Sequence, residues 1–350
     1  MQHYKAVIIG LTGIGASRPV EAADAPLYGN MPRSHAAAYH RHPATDVVAV
    51  CDIRRETLDK FRDTWGDVWP DLRLYTDYRE MLAQEQPDLV SVVTPDHLHA
   101  DITVDAANGG ARAILCEKPI ATTLADADRM IAACAARGVL LSIEHTRRWS
   151  PTFQKALEII RSGELGRVRT VIANLLSPRS MLFRNGTHMV DMILFFAEAD
   201  PTWVFAELEE GFDDYDEYKS DGGHDPATDP GASAYIHFAN GVRGFYNGVK
   251  VQMPGSQFEL TLDNGRLEVS DRGLTVVRGL AHYDWAYSTI PVGDYTMSYQ
   301  AAAVAELIDG LETGKPLVST ARDARKTLEV MLAILKSHCG GNVRIDLPLG

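Results

Sequence analysis

Two short clusters carry residue types that could do chemistry. Glu117-Lys118-Pro119 directly follows an apolar run ending at Cys116, and Gly186-Thr187-His188 opens a strongly apolar stretch from Met189 to Phe196. A lysine in a loop at the carboxyl end of a parallel strand can hydrogen-bond a reacting hydroxyl. It can also steady the negative charge that develops as hydride leaves. In an ordinary surface turn the same lysine would be solvated and idle. A histidine at a helix start suits a general base or acid, because imidazole titrates near neutral pH. A helix cap or a hydrogen-bonded core histidine is the competing reading.

A third cluster could hold a phosphate. Gly10-Leu11-Thr12-Gly13-Ile14-Gly15 closes the first apolar run. Glycines after a strand let backbone N–H groups approach a pyrophosphate without Cβ obstruction. The dinucleotide fingerprint puts glycines at 10, 12 and 15, whereas here Thr12 holds the middle position and the extra glycine is Gly13. An ordinary strand-to-helix turn is the alternative. Asp52 ends the second apolar run, where an acid can accept hydrogen bonds from the adenosine ribose; Ile53, Arg54 and Arg55 follow it. The interval from Gly10 is about twice the usual gap of roughly 20 residues. A Pro/Gly/Ala-rich insertion, Ala16 to Arg33, accounts for the excess, as a surface loop or as a flap over cofactor or substrate. Arg54 and Arg55 could meet a ribose 2′-phosphate that Asp52 would repel, so NAD is expected, with NADP possible.

Placing these clusters at one edge requires a particular order of elements. Strand-like runs at Tyr4 to Gly10, Asp46 to Cys51, Leu72 to Tyr75, Leu89 to Val93, Ala113 to Cys116 and Val139 to Ile143 alternate with helical patterns. Those helices fall near Ser34 to Arg41, Arg55 to Thr64, Tyr78 to Glu85, His99 to Asn108 and Leu124 to Arg137. Short links between them imply right-handed crossovers and a parallel sheet covered on both faces. After Pro151 the texture changes. A helix over Phe153 to Ser162 precedes strand-like runs at Val168 to Leu175, Trp203 to Leu208, Ala232 to Phe238, Val242 to Val249, Gln257 to Leu262, Arg266 to Val269 and Thr275 to Val277. Asn240-Gly241 and Asn264-Gly265 sit between such runs as hairpin turns. Helices near Ser298 to Glu312 and Ala321 to Lys336 close the chain. The reading is α/β: residues 1–145 a doubly wound dinucleotide-binding domain, residues 146–350 an α+β domain with a large, mostly antiparallel open sheet.

The bulk numbers agree with a folded protein of this kind. The chain has 350 residues, 45% hydrophobic and 23% charged, which suits two ordinary cores. A net charge of −13 argues against a nucleic-acid surface while leaving room for a locally positive pocket. Cys51, Cys116, Cys134 and Cys339 have no paired spacing and read as buried reduced thiols. The apolar stretches are too short to span a bilayer and the chain opens directly into a strand-like run, so a cytoplasmic protein is expected. The Asp213–Glu217 run and the Asp221-Gly-Gly-His224-Asp225 segment read as solvated loop. No metal site is expected there, since Asp221, His224 and Asp225 share no rigid element.

Taken in order, these motifs resemble the Gfo/Idh/MocA family (glucose-fructose oxidoreductase, inositol dehydrogenase, rhizopine catabolism protein). The resemblance runs through VIIG, SHAAAYHRHP, VVAVCD, TPDHLHADI, CEKPIATTLADA, RRWSP, SGELGRV, GTHMVD and FANGVRGF, nearly the whole length. It implies a Rossmann domain, a nicotinamide cofactor, and Lys118 and His188 flanking the reacting carbon. Glu117 and Pro119 would then shape the nicotinamide pocket, with Thr94, Pro95 and His99 lining the cofactor cleft. Arg147, Arg148 and Trp149 would lie where the interdomain crossover approaches substrate. The implied reaction is hydride transfer between nicotinamide and a secondary alcohol of a sugar, sugar acid or cyclitol. Two other activities stay open: redox-neutral elimination, epimerisation or glycoside cleavage through a retained cofactor, and a non-catalytic NAD-binding regulator. Many family members carry aspartate four residues before the histidine, where this chain has Arg184; that arginine could instead bind an acidic substrate group. The sheet of the second half is expected to leave an apolar face exposed, and the family pairs as homodimers and homotetramers.

Overall fold

The computed structural model describes all residues except 1–2, 20–32, 221–222, 224, 254, 282–283 and 292–298. Most of the Ala16 to Arg33 insertion, together with Asp221, His224 and Ser298, lies outside the described residues. The chain divides into two compact units, Met1–Trp149 with Asp294–Arg325, and Ser150–Gly293 with Lys326–Gly350. A single cut after residue 145 misses the return of residues 294–325 to the first unit. The reason is apolar: Ala301, Val304, Leu307 and Ile308 are buried in the same cluster as Tyr4, Tyr39, Phe61 and Trp65.

The first unit is built on a parallel sheet. Its strands are β1 (Tyr4–Ile9), β2 (Thr45–Cys51), β3 (Arg73–Tyr75), β4 (Leu89–Val92), β5 (Ala113–Cys116) and β6 (Leu140–Ile143), in the order β3-β2-β1-β4-β5-β6. All four residues of β4 and of β5 are buried, as a sheet covered on both faces requires. Local signals set the helix bounds. Ser34 caps α1 (His35–Arg41) by accepting from the Ala37 N–H, and Asp77 caps α3 (Tyr78–Glu85), which follows α2 (Arg55–Trp65). After α4 (His99–Asn108), Thr123 caps α5 (Leu124–Arg137), and Gly138 ends it in the left-handed conformation with φ +67°. In α2, Leu58, Phe61 and Trp65 recur on one helical face and are buried.

The second unit carries a nine-stranded sheet among the described residues, with strands β7 (Val168–Ser177), β8 (Pro201–Leu208), β9 (Ala232–Phe238), β10 (Arg243–Lys250), β11 (Gly255–Leu262), β12 (Gly265–Ser270), β13 (Gly273–Ala281), β14 (Asp284–Ile290) and β15 (Ile345–Asp346). The order is β14-β13-β12-β11-β7-β10-β9-β8-β15. Pairing is antiparallel except between β10 and β7. Helices α6 (Pro151–Ser162) and α7 (Thr187–Ala197) contribute Phe153 and Phe196 to an aromatic cluster with Phe258 of β11. The chain then runs through α8 (Tyr299–Thr313) in the first unit and α9 (Ala321–Cys339).

β14 and β15 were not among the expected strands. The first alternates between exposed and half-buried residues and the second is only two residues long. The β11–β12 turn is Asp263-Asn264, because Leu262 pairs with Gly265, one residue earlier than the Asn-Gly pair suggests. All four cysteines are free. Cys51, Cys116 and Cys134 are buried; Cys339 is exposed at the end of α9, which corrects the expectation of four buried thiols.

Candidate active site

Along the carboxyl edge of the first sheet, the residue after each strand donates its N–H to the last residue of the neighbouring strand. Asp52 reaches the Tyr75 carbonyl at 3.2 Å, Gly10 that of Cys51 at 2.9 Å and Val93 that of Ile9 at 2.8 Å. Glu117 reaches the Val92 carbonyl and Glu144 the Cys116 carbonyl, each at 2.9 Å. Asp52, Gly10, Val93, Glu117 and Glu144 thus form one row in sheet order. The sequence singled out three of the five.

The Gly10 turn has the properties a pyrophosphate needs. Gly10 lies at φ +93°, and a Cβ there would stand 2.4 Å from the Val93 carbonyl oxygen; one on Gly15 would stand 2.4 Å from the Gly10 oxygen. Only glycine is tolerated at either place. Thr12 keeps an ordinary extended backbone with its side chain exposed, and Gly13 takes the left-handed conformation at φ +51°. The extra glycine therefore does the conformational work, and Thr12 costs nothing. The turn continues into one 3-10 turn, Gly13–Gly15, and among the described residues the next helix, α1, begins at His35.

Asp52 is nearly buried. Its Oδ2 accepts from the Leu11 N–H and its Oδ1 from the Arg54 N–H, while the Arg54 Nε lies 3.5 Å from Oδ1. A carboxylate held by two backbone donors keeps lone pairs for ribose hydroxyls. Ile14, Ile53 and Leu98 are exposed in the loops after β1, β2 and β4, apolar surface suited to flat rings. The residues present thus fit a dinucleotide.

A buried polar chain fixes Glu117. His35 Nε2 lies 3.3 Å from Glu117 Oε1, His35 Nδ1 2.8 Å from Ser91 Oγ, and the Tyr39 hydroxyl 2.9 Å from the same Oγ. One proton assignment satisfies every partner: Tyr39 donates to Ser91, Ser91 to His35 and His35 to the carboxylate. Burial opposes ionisation of Glu117. The His35 hydrogen bond, the Lys118 charge and the Lys118 N–H outweigh it and hold the carboxyl below the usual range. Lys118 is half-buried and joined to the buried Pro119 by a cis peptide bond. His99 is wholly buried, its Nδ1 3.0 Å from the Pro119 carbonyl and its Nε2 3.0 Å from that of Thr94. It ties the Thr94-Pro95 loop to the Lys118 loop.

After β6, Arg148 is nearly buried and donates to the Val318 carbonyl at 3.0 Å, with Asp323 at 3.4 Å. Trp149 donates from Nε1 to Glu306 at 3.1 Å. Both polar groups have partners inside the first unit. Arg147, beside them, is half-buried.

In the second unit, one π-helical turn, Leu182–Gly186, leads into α7, where Thr187 is buried and His188 half-buried. Such turns often mark functional sites. A Cβ on Gly186 would stand 2.4 Å from the Tyr246 hydroxyl, so this glycine of the Gly-Thr-His cluster is required by packing. Asp229 grips the turn. It is almost fully buried and accepts from the Phe183 N–H at 3.1 Å and the Arg184 N–H at 3.0 Å. Burial pushes its carboxyl up to about 6 against those two N–H groups and the Lys250 and Arg184 charges. Tyr218 stacks on Phe183 at 3.9 Å, and a small cavity bounded by Met181, Arg184, Tyr218, Ser220 and Asp229 adjoins the turn. At the place where the family resemblance implies an aspartate this chain has Arg184, and Asp229 brings a carboxylate to the same turn from β9's approach. A concavity of about 560 Å³ near Arg266, Trp285 and Tyr287 includes none of these residues.

His35, Ser91, Glu144 and Asp229 were not identified as site residues from sequence. Only His35 lay in a quoted motif. Among the described residues no group of His, Cys, Asp and Glu could hold a metal ion, and no helix is long and apolar enough to cross a membrane.

Residues 28–145 match the oxidoreductase family with an NAD-binding Rossmann fold, and residues 153–268 match the GFO/IDH/MocA C-terminal domain. The chain is 37% identical over 138 residues to the D-apiose dehydrogenase of Paraburkholderia graminis, covering 39% of this chain and 36% of that protein. It is 33% identical over 126 residues to the inositol 2-dehydrogenase of Salmonella typhimurium, covering 35% of each. The matched stretch thus spans little more than a third of these curated relatives. Among solved structures, levoglucosan dehydrogenase in complex with NADH superposes with a TM-score of 0.80 at 18% identity, over 99% of this chain and 100% of that one. UDP-N-acetylglucosamine 3-dehydrogenase from Acidithiobacillus ferrooxidans gives 0.74 at 19%, over 96% and 98%. These two likenesses show the fold.

Proposed function

Because the chain belongs to the Gfo/Idh/MocA oxidoreductase family, we propose that it is an NAD-dependent dehydrogenase or reductase acting on a secondary alcohol of a sugar, sugar acid or cyclitol. The observation that carries this reading is the row at the carboxyl edge of the first sheet, where a buried hydrogen-bonded chain fixes Glu117 beside Lys118. When bound, the nicotinamide supplies the hydride carrier. Asp52 accepts the ribose hydroxyls, and the Gly10–Gly15 turn admits the pyrophosphate. Lys118 hydrogen-bonds the substrate hydroxyl and holds the charge of the forming alkoxide, with the ionised Glu117 beside it in sequence. His188 takes the hydroxyl proton during oxidation and returns it during reduction. Asp229 positions the turn from which His188 projects, and Arg184 offers its charge to acidic sugars.

The relatives named above act on apiose, inositol and levoglucosan by their descriptions, which favours a carbohydrate or cyclitol substrate here. The open face of the second sheet is the surface through which copies would pair. The test is incubation with NAD and a panel of sugars, uronates and polyols, following NADH and product mass together. NADH appearing with a product two hydrogens lighter is expected. Lys118→Ala and His188→Ala should each lower kcat/KM by about 100- to 10,000-fold. A changed sugar without NADH would replace this reading with redox-neutral chemistry. Tight NADH binding with no turnover across oxidised and reduced substrates would replace it with a regulator.

A further inference from the structure

Three buried residues lie behind the Lys118 loop. His35 opens α1, Tyr39 follows it one helical turn on, and Ser91 belongs to β4; at most 1% of any of them is exposed, too deep to meet a ligand. Residues four apart share a helix face, so both side chains of α1 reach the same Ser91 Oγ, His35 at 2.8 Å and Tyr39 at 2.9 Å. Whatever they do for the reaction passes through Glu117, whose two oxygens are both held. Oε1 faces His35 Nε2 and Oε2 accepts the Lys118 N–H, each at 3.3 Å. The Glu117 carboxylate thus links α1 to the peptide that carries Lys118.

The far end of the chain decides which way its protons point. Two directions satisfy the distances. In one, Tyr39 donates to Ser91, Ser91 to His35 and His35 to Glu117, which is then a carboxylate. In the other, a protonated Glu117 donates to His35, His35 to Ser91 and Ser91 to Tyr39, which leaves the Tyr39 proton to find an acceptor. Among the described residues the Tyr39 hydroxyl has no partner but Ser91. Burial pushes that hydroxyl far up, so it keeps its proton. A buried donor without an acceptor is the costlier fault, which selects the first direction. We propose that Tyr39, Ser91 and His35 are positioning residues: they point a chain of protons at Glu117, so that it stays an acceptor and holds the Lys118 peptide where the substrate hydroxyl needs it. This rests on the dehydrogenase reading above. The other charged or titratable groups around Glu117 are Lys118 on its own loop, Glu144 after β6 and the Cys116 thiol of β5. Burial works to raise the Glu117 carboxyl, and the His35 hydrogen bond leads the influences that bring it below the usual range. Without His35, Glu117 should take up its proton at a higher pH.

The test has a spectroscopic and a kinetic arm, both on the full chain. Infrared spectra across a pH series report protonated carboxyl groups, and the part of that band lost in Glu117→Gln belongs to Glu117. The wild type should gain it only in acid. His35→Leu should gain it at higher pH, and Tyr39→Phe should shift it the same way by less. In the kinetic arm the substrate is the panel member that the wild type oxidises best with NAD. His35→Leu should lower kcat about 10- to 100-fold, the worth of a hydrogen bond to a charged group, and move the acid limb of the pH profile upward. Its affinity for ADP-ribose should stay within about twofold, which also reports that it is folded. His35→Gln, which still donates to Glu117, should recover most of the loss. A carboxyl band and an acid limb unmoved in both His35→Leu and Tyr39→Phe overturn the proposal, as does a Glu117 protonated at neutral pH in the wild type. Wild-type protein that oxidises no panel member overturns the dehydrogenase reading instead, and the infrared arm still decides the direction of the chain.

Discussion

The two sheets solve opposite packing problems. β4 and β5 are buried along their whole length, whereas β9 alternates strictly, with Ala232, Ala234, Ile236 and Phe238 buried and Ser233, Tyr235 and His237 more open. In β4 and β5 no strand side chain is open to a ligand, so chemistry there is displaced to the residues just past the strand ends. In the second sheet, one face is open along the strands and carries stacked Trp203, Tyr235 and His237 with exposed Phe205. Its chemistry-bearing turn sits instead on a connection, held by a carboxylate far away in the chain. The first site is built by backbone register and the second by one buried side chain. Substitutions should therefore fail in different ways.

The largest effect is expected at the register-built edge. Gly10→Ala forces a Cβ against the Val93 carbonyl at φ +93°. It should cost more than about 4 kcal/mol or prevent folding of the first unit. A urea midpoint within error of wild type would show that the edge yields more than its geometry suggests.

At the side-chain-built turn the effect is pH-dependent. The folded Asp229 carboxyl titrates at about 6, above its unfolded value of 3.8. The folded state therefore holds a proton that the unfolded state has lost between those values. Stability should fall as pH rises through that window, by on the order of 3 kcal/mol. Asp229→Asn should flatten the slope, read from denaturation midpoints at pH 4, 5, 6 and 8. An unchanged slope would remove Asp229 as the group responsible.

The smallest effect is expected on the open face. Phe205→Ser should change protomer stability by less than about 1 kcal/mol, while weakening any pairing of copies through that face. Sedimentation of both proteins over a concentration series checks this, and identical profiles would clear the face of that role.

Legibility from sequence follows the same division. The strands of the first unit were readable because burial on both faces leaves uninterrupted apolar runs, and caps such as Ser34, Asp77 and Thr123 are local signals. Gly10, Asp52 and Glu117 were readable because each directly follows such a run. His35 and Asp229 were not, since each acts on a segment distant in the chain, Glu117 and the Phe183-Arg184 backbone respectively. An aspartate just beyond an Asp- and Gly-rich loop looks solvated until the fold buries it. β14 escaped because a strand with little burial has no apolar period to read. Glu144 carries no signal in the sequence, and only the fold shows that it is buried.

The return of residues 294–325 to the first unit has a consequence for synthesis. Val304, Leu307 and Ile308 complete the cluster around Tyr4 and Trp65, yet they leave the ribosome after strands β7 to β14 of the second sheet. At about 5–20 residues per second, the nascent first unit waits on the order of 10–30 s with that apolar stripe uncovered. During that interval it is a natural client for chaperones, and a ribosome stalled within the second sheet would strand it there.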